Sequence, residues 1–414
     1  MKILVLGSGG REHALCWKLA QEATVFAAPG NPGIAQICEC FPLELSDLDA
    51  ALLLAQEIAP DLIVVGPENP LIAGLGDSLR AAGFAVLGPN QDGARLEGSK
   101  AFSKSLMEAA GVPTAASICT TIPSEAMEFI ETLDVVGTQV VVKASGAALG
   151  KGVIVANDKM EAFEAVHNMM IQSVLGHAGH EVVVEERLFG REFSLLTLCN
   201  ENSILSLPVA QDYKRIFDDD QGPNTGGMGS YSPVDWVSAE LVNETEELIV
   251  KPMLNELKKQ GISYRGVLFS GIMLTDSGPK CLEYNVRFGD PETQSVMGRL
   301  GNGFAAACLA TANGEPIPEV EVLSRAAVTV VLASEGYPER SSDSVPIYLP
   351  EDQEAGTQIF AAGVRERDGQ WWTSGGRVLS VMAMDENVAI AREKAYRLAG
   401  QIEFAGKHYR TDIA

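Results

Sequence analysis

Three side chains that could bind a metal-bound phosphate alternate within the stretch LEYNVRFGDPETQ, residues 282–294. Glu283, Asn285 and Arg287 occupy every second position, and apolar residues stand between them. A β-strand would direct all three to one face, because its successive side chains point to opposite sides. Mg²⁺ (or Mn²⁺) takes carboxylate and amide oxygens as ligands and shares them with phosphates, while a guanidinium binds a transferring phosphoryl group or a carboxylate. The pattern predicts a metal–ATP site, although a lone E-x-N-x-R is more often a solvated strand edge.

A glycine-rich stretch with two lysines, VVVKASGAALGKGV, covers residues 140–153. Lys143 ends an apolar run, and the glycines after it would let backbone amides approach phosphate oxygens while Lys143 and Lys151 supply charge. The spacing is not that of a Walker A loop, and a hairpin with surface lysines is the alternative. We favour phosphate binding, with ATP contacts at Lys143, Ser145, Gly146, Gly150, Lys151 and Gly152.

Charged residues follow another apolar strand in EVVVEERLFGREF, residues 181–193. Glu185, Glu186 and the backbone through Leu188 could meet an adenine edge, and Glu192 could accept hydrogen bonds from ribose hydroxyls. Charged residues after a strand usually face solvent, so this interpretation depends on the neighbouring phosphate site.

A second glycine-rich loop spans residues 225–229 and follows three charged residues, Asp212, Lys214 and Arg215. Loops that are this long and rich in glycine are often functional. The charged residues and the loop together predict a functional loop, and a disordered loop is the alternative.

The turn GSGGREH after the first strand resembles a dinucleotide-binding fingerprint, but Glu12 stands where the third glycine would be. Gly7, Gly9 and Gly10 would still bring backbone N–H groups and a helix start close to an anion. A tight strand-to-helix turn without a ligand explains the motif equally well.

The composition narrows the class of protein. The chain has 414 residues, a formal net charge of −24 and 46% hydrophobic residues, which is enough for several packed domains. So acidic a chain argues against a nucleic-acid partner. Seven scattered cysteines without C-x-x-C, and the absence of a signal peptide or membrane-length apolar run, predict a cytoplasmic protein with reduced thiols.

Strand and helix patterns alternate through the first 100 residues and predict a parallel sheet covered by helices on both faces. One helix is expected over 94–111, a small α/β segment over about 114–188 with a helix over 159–174, and then an antiparallel region whose last strand spans 279–288. Residues after about 325 form a third unit of strands and a final helix. Ligands of such parallel sheets bind at the carboxyl ends of the strands.

The chain resembles the ATP-grasp superfamily and, within it, the phosphoribosylamine–glycine ligase family, along nearly its whole length. The resemblance is carried by eight stretches: LGSGGREHA, APGNPG, VGPENPL, LEGSKAFSK, GKGVIVA, GPNTGGMGSYSP, RFGDPETQ and GGRVLSV. It implies a multidomain α/β and α+β fold. An N-terminal parallel α/β (pre-ATP-grasp) domain would cover 1–100, a two-part ATP-grasp region 101–324 with a lid subdomain at about 114–188, and a small α/β C-terminal domain 325–414.

The implied reaction joins glycine to 5-phosphoribosylamine at the expense of ATP, in purine biosynthesis, through glycyl phosphate. By position, the metal ligands would be Glu283 and Asn285, and the phosphate-binding lysines Lys104 and Lys143. The implied catalytic residues are Arg287, Lys143 and Asp212. The implied substrate-binding residues are Gly9, Gly10, Arg11, Glu12, Asn31, Glu68, Asp212, Lys214, Gly289, Pro291 and Glu292.

Three residues depart from the family pattern, because Ser145, Tyr213 and Arg191 stand where Asp, His and an acidic residue are usual. The expected partners are the three small-molecule substrates, without nucleic acid or membrane, and the expected state is a monomer. Three other functions compete: a nicotinamide oxidoreductase built on the first glycine turn, a noncatalytic ATP-binding regulator, and another ATP-grasp ligase. The strand that carries Glu283, Asn285 and Arg287 argues against the first two. The third differs from the implied ligase only in the identity of the acyl acceptor.

Overall fold

The computed structural model describes residues 1–135, 137–146, 152–340 and 343–414. The first 87 residues form a five-stranded parallel sheet in the order β3-β2-β1-β4-β5, which confirms the predicted α/β domain. Its elements are β1 Lys2–Gly7, α1 Gly10–Leu19, β2 Thr24–Pro29, β3 Glu39–Cys40, α2 Leu48–Ile58, β4 Leu62–Val65, α3 Glu68–Ile72, α4 Leu75–Ala81 and β5 Val86–Leu87.

Two helices, α5 Gln91–Gly98 and α6 Lys100–Ala110, lead out of this domain. The prediction of one helix over 94–111 is therefore wrong. Ser99 between them is extended, with φ −141° and ψ 111°, and its hydroxyl accepts a hydrogen bond from Phe102 N. Glycine disfavours a continuing helix and serine is a preferred N-cap, so Gly98-Ser99 ends one helix and starts the next.

The small subdomain contains a four-stranded antiparallel sheet in the order β6-β9-β7-β8. Its elements are β6 Ser117–Thr120, α7 Pro123–Val135, β7 Val140–Ala144, β8 Val153–Val155, α8 Lys159–Val166 and β9 Val182–Glu186. The helix predicted over 159–174 is α-helical only as far as Val166, because a π-helical turn follows over His167–Ile171.

The larger part of the ATP-grasp region is built on the antiparallel sheet β11-β10-β16-β17. Its elements are β10 Arg191–Cys199, β11 Ile204–Ser206, β12 Gln211–Asp212, β13 Arg215–Phe217, β14 Gln221–Asn224, β15 Gly229–Ser232, α9 Ala239–Thr245, α10 Lys251–Lys259, β16 Gly266–Thr275, β17 Gly278–Asn285, α11 Glu292–Arg299 and α12 Phe304–Asn313.

The C-terminal unit shares its sheet with the ATP-grasp region, because the strand order is β12-β15-β18-β22-β19. Its own elements are β18 Ala326–Ala333, β19 Thr357–Ala361, β20 Val364–Arg367, β21 Gln370–Thr373, β22 Arg377–Asp385 and α13 Val388–Gln401. Strand β12, which carries Asp212, is therefore held by the fold of the last domain. Within the described residues, none of the helices combines the length and apolar character needed to span a bilayer.

Candidate active site

Strand β17 presents the two predicted metal ligands. Glu283 lies opposite Gly271 of β16, and Asn285 lies opposite Phe269, so the two side chains share one face. The strand ends at Asn285 instead of continuing to residue 288 as predicted. Arg287 consequently lies beyond the strand and is not positioned by its alternation.

Arg287 is held by two carboxylates from the N-terminal part of the chain. Its Nη2 lies 2.8 Å from Glu97 Oε1, and its Nε lies 3.4 Å from Glu68 Oε2. Glu97 also accepts a hydrogen bond from Val286 N at 2.8 Å, which fixes the chain just after β17. Burial raises the pKa of Glu97, and the positive charge of Arg287 only partly offsets this.

Glu283 remains ionised although it is surrounded by protein. Burial acts to raise its pKa, but nearby cations outweigh burial and leave the pKa below its ordinary value; in order of effect they are Lys143, Lys100, Lys214 and Arg287. Among the described residues, none of these cations forms an ion pair with Glu283 within 4 Å. An ionised carboxylate beside an amide oxygen fits a hard divalent cation.

No group of three or more His, Cys, Asp or Glu side chains in the described parts of the chain is arranged to hold a metal. A cation at Glu283 and Asn285 would therefore take its remaining ligands from phosphate oxygens and water. Mg²⁺ bound together with a nucleotide is commonly held in this way.

The two predicted phosphate-binding lysines meet at one buried carboxylate. Lys104 Nζ lies 2.7 Å from Glu185 Oε2, and Lys143 Nζ contacts Glu185 Oε1. Burial acts to raise the pKa of Glu185, but the charges of Lys143 and Lys104 outweigh burial and hold the pKa below its ordinary value. The cluster of two lysines and one carboxylate therefore carries a net positive charge. The side chain of Glu185 is thus engaged with the two lysines, and its contact with an adenine edge stays a prediction.

The lid subdomain docks on the start of α6. Ser145 Oγ accepts a hydrogen bond from Ala101 N at 3.1 Å, and Lys100 N donates to the Ser145 carbonyl oxygen at 2.9 Å. Gly146 N donates to Ala178 O at 3.1 Å, and Gly152 O accepts from Ala144 N at 2.7 Å. The predicted ATP contacts at Gly150 and Lys151 lie outside the described residues.

The predicted adenine and ribose residues follow β9. Glu186 accepts a hydrogen bond from Ala116 N at 3.1 Å, and its Oε1 lies 3.4 Å from Lys280 Nζ. Leu188 is half-buried just before Gly190. Glu192, the predicted ribose acceptor, pairs with Lys214 Nζ at 2.6 Å.

Lys214 bridges Glu192 to Asp212, whose Oδ1 lies 3.0 Å from the same ammonium nitrogen. Burial raises the pKa of Asp212 more than Lys214 lowers it, and the charge of Glu192 adds to the rise. Asp212, Lys214 and Glu192 thus form one chain of alternating charges, although they lie on two different strands and the loop after one of them.

Glu292 lies close enough to Asp212 for the two acids to influence one another. Burial, followed by the negative charge of Asp212, raises the pKa of Glu292 to about 7. Ser194 Oγ donates to Glu292 Oε1 at 3.3 Å, and a β-carbon at Gly289 would overlap the Glu292 carboxylate. Two acids in this arrangement are well suited to bind a cationic group, which would allow both to ionise.

The first glycine turn is already occupied by a carboxylate of the chain. Glu12 accepts hydrogen bonds from Gly9 N and from Arg11 Nε, both at 2.6 Å, and it is 2% exposed. A β-carbon at Gly7 or Gly66 would overlap its side chain. Glu12 therefore neutralises the start of α1, where a dinucleotide would place its pyrophosphate, which argues against the oxidoreductase interpretation.

Residues of the N-terminal turns also contact the C-terminal unit. Asn31 Nδ2 donates to Ser8 O and to Ala361 O, both at 2.8 Å. Arg11 Nη1 donates to Phe288 O at 3.1 Å. The predicted substrate residues from the first and middle domains thus come together at one three-domain junction.

Sequence reasoning missed two cations of this junction. Arg377 donates to Gly226 O at 2.6 Å and to Asp290 O at 2.7 Å, and it pairs with Asp290 Oδ2 at 3.1 Å. The sequence signal available for Arg377 was its place in the family motif GGRVLSV, for which no side-chain role was predicted. Lys100 is the other, and its position one helical turn before Lys104 on α6 was the available signal.

Gly289 and Pro291 lie in the turn between β17 and α11. Gly289 O accepts a hydrogen bond from the Thr293 hydroxyl at 2.5 Å, and Pro291 O accepts one from the Ser230 hydroxyl at 2.8 Å. A β-carbon at Gly227 would overlap the Pro291 ring, so this turn lies beside the glycine-rich loop 225–229.

The metal assignment predicts a binding defect. Glu283→Gln should weaken Mn²⁺ binding in the presence of ADP by about tenfold or more, because the ion loses an anionic oxygen ligand. Titration followed by electron paramagnetic resonance measures free Mn²⁺ directly. Glu256→Gln, on α10, is the control and should leave the affinity unchanged. Equal Mn²⁺ affinities in the wild type and Glu283→Gln would exclude Glu283 as a ligand.

The lysine cluster predicts a nucleotide-binding defect. Lys143→Met should weaken binding of a non-hydrolysable ATP analogue by roughly tenfold or more, since a charge-assisted phosphate contact is lost. Calorimetry gives the affinity, and Lys251→Met, a lysine of α10 that pairs with Glu247, is the control. If Lys143→Met binds the analogue as tightly as the wild type, Lys143 does not contact phosphate.

Most of the chain matches three domains of one protein family. Residues 1–97 match "Phosphoribosylglycinamide synthetase, N domain", residues 98–293 the ATP-grasp (A) domain, and residues 327–414 the C domain. A phosphoribosylamine–glycine ligase of Agrobacterium fabrum is 44% identical over 419 residues, which are 100% of this chain and 98% of that protein. The trifunctional purine biosynthetic protein adenosine-3 of Gallus gallus is 44% identical over 422 residues, 100% of this chain and 42% of the larger protein.

Solved structures of related proteins have the same fold as this chain. The crystal structure of phosphoribosylamine–glycine ligase from Thermotoga maritima superposes with a TM-score of 0.87 at 38% identity and covers 100% of both chains. A biotin carboxylase–β-γ-ATP complex from Campylobacter jejuni shares only the fold, with a TM-score of 0.72 at 13% identity, covering 99% of this chain and 92% of that one. The chain therefore belongs to the phosphoribosylglycinamide synthetase family, with an ATP-grasp domain at its centre.

Proposed function

We propose that this protein is the ATP-dependent ligase that joins glycine to 5-phosphoribosylamine, giving glycinamide ribonucleotide, ADP and phosphate in purine biosynthesis. The observation that carries the proposal is that Glu283 and Asn285 share one face of β17 at the junction of three domains, near the lysines and the Asp212–Glu292 acid pair. Full-length relatives that are 41–44% identical bear the name of this ligase, which favours it over other ATP-grasp ligases.

The first step is phosphoryl transfer. A glycine carboxylate oxygen attacks the γ-phosphorus of ATP, the bond to the β,γ-bridging oxygen breaks, and ADP leaves with the electron pair. Lys104 and Lys143 would hold the phosphates, and Arg287 would stabilise the transferring group. A divalent cation, proposed to be Mg²⁺ at Glu283 and Asn285, supplies further neutralisation of the phosphate charge.

The second step is acyl transfer. The amine of phosphoribosylamine attacks the acyl carbon of glycyl phosphate, phosphate leaves with the former carboxylate oxygen, and the nitrogen loses a proton. We assign the amine substrate to the N-terminal turns at Gly9, Gly10, Asn31 and Glu68. We assign the glycine ammonium to Asp212 and Glu292, whose negative charges would pair with it. The lid must exclude water, because glycyl phosphate hydrolyses readily.

The glycine assignment predicts a pH dependence. The pKa of Glu292 is raised to about 7, so Glu292 is protonated below that pH and anionic above it. If the anion binds the glycine ammonium, kcat/KM for glycine should rise from about pH 6 to about pH 8 and then level off. Glu292→Gln should lose this rise. Ser194→Ala removes a hydrogen bond to the carboxylate and should move the midpoint to higher pH.

A Glu292→Gln variant that keeps the wild-type profile, with the same midpoint, would contradict the assignment. Comparing the wild type with Glu292→Gln distinguishes the ionisation of Glu292 from that of the substrate phosphates, which also titrate near neutral pH.

Isotope transfer tests the function as a whole. With oxygen-18 in the carboxylate of glycine, purified protein, ATP, Mg²⁺ and phosphoribosylamine, one labelled oxygen should appear in the released phosphate for each glycinamide ribonucleotide formed. Mass spectrometry of the phosphate measures it, and a reaction without glycine is the control. Product formed without label in phosphate would reject the glycyl phosphate route, and absence of any glycine-dependent product would reject the ligase itself.

A further inference from the structure

A β-hairpin follows shortly after Asp212, one of the two residues proposed to bind glycine. Strands β13 and β14 form its arms, and residues 218–220 form its tip. Thr225 N donates to Lys214 O, and Met228 N donates to Tyr213 O, both at 2.7 Å, which closes its base. Any movement of this hairpin therefore moves Lys214 and the glycine-rich loop 225–229.

Arg410 connects the hairpin to the segment 410–412 near the end of the chain. Its side chain is 1% exposed, and Nη1 donates to Asp220 Oδ1 at 2.7 Å and to Arg215 O at 3.2 Å. Nη2 donates to Asp412 Oδ2 at 2.6 Å. A fully buried guanidinium is stable only when its donors are satisfied, so Arg410 holds the tip, one arm and the segment 410–412 in one arrangement.

The tip adopts a conformation that L-residues rarely take without support. Asp219 and Asp220 have φ values of 56° and 52°. Asp219 N donates to Asp412 Oδ2 at 2.9 Å, and Thr411 N donates to Asp218 Oδ1 at 2.8 Å. Asp tolerates this left-handed conformation better than most residues, and the two contacts tie the tip to segment 410–412.

Tyr213 makes the second connection. The guanidinium carbon of Arg410 lies 4.8 Å from the centre of its ring, and its hydroxyl accepts a hydrogen bond from Ala414 N at 2.9 Å. Tyr213 stands between Asp212 and Lys214 in the chain, so a contact that fixes its side chain also fixes the backbone of both neighbours.

We propose that segment 410–414 is a positioning clamp for the glycine site: through Arg410 and Tyr213 it holds the hairpin so that Asp212 and Lys214 keep their places. This inference rests on the proposed function, because it takes Asp212 to bind glycine. Arg410 and Tyr213 act through the hairpin as positioning residues, and neither is assigned a contact with substrate.

The test uses two variants of the full-length protein. Tyr213→Phe removes one hydroxyl and keeps the ring beneath the guanidinium, and it should raise the KM for glycine about fivefold with little change in kcat or in the KM for ATP. Arg410→Gln should raise the KM for glycine by about twentyfold or more, since a charged contact is lost.

Each variant has a matched control elsewhere in the chain. Tyr264→Phe removes a tyrosine hydroxyl that donates to Val267 O, and Arg265→Gln removes an arginine that pairs with Glu201. Both controls should lower the thermal unfolding temperature without changing the KM for glycine. A general loss of stability therefore cannot imitate the expected result.

Hydrogen exchange supplies a readout independent of catalysis. The amides of Thr225 and Met228 should exchange about fivefold faster in Tyr213→Phe than in the wild type or in Tyr264→Phe. Unchanged exchange and an unchanged KM for glycine in Tyr213→Phe would overturn the clamp while wild-type activity still supports the ligase. A wild type without glycine-dependent ADP release would instead overturn the proposed function.

Discussion

The charges buried where the three domains meet must be balanced, and the structure satisfies this by sharing each ion between partners from different elements. Glu185 lies between Lys104 and Lys143, and Arg287 lies between Glu97 and Glu68. Lys214, which is partly exposed, lies between Asp212 and Glu192. An unpaired ion removed from water is costly, whereas one held by a partner keeps its charge and geometry. The junction is thus preorganised with polar groups whose positions are fixed before a ligand enters.

The same requirement explains why the domains depend on one another. Glu68 belongs to the first domain and Arg287 follows the last strand of the ATP-grasp sheet, so their contact crosses a domain boundary. Arg377, at the start of β22, likewise pairs with Asp290. Strand β12 joins the sheet of the C-terminal unit, so the last domain also sets the position of Asp212. The geometry of the site is consequently a property of the whole chain.

Glu12 illustrates how one residue changes the use of a common fold. A parallel sheet with a glycine turn before α1 can receive a pyrophosphate at the helix start. Here the Glu12 carboxylate already accepts the Gly9 amide proton and balances Arg11. The turn remains tight, but the anion at the start of α1 is a carboxylate of the protein itself. The fold alone therefore does not identify which ligand the domain binds.

The sequence by itself determined the parallel N-terminal sheet, the family and the shared strand face of Glu283 and Asn285. These follow from local periodicity and from motifs, because side-chain direction repeats with a fixed period along a strand or helix. The tertiary structure alone decided that one expected helix breaks at Ser99, that β17 ends before Arg287, and that Glu185 binds lysines. It also decided that Arg377 and Arg410 reach partners 87 and 190 residues away. Periodicity shows which face a side chain occupies, but its partner across the core depends on how distant segments pack.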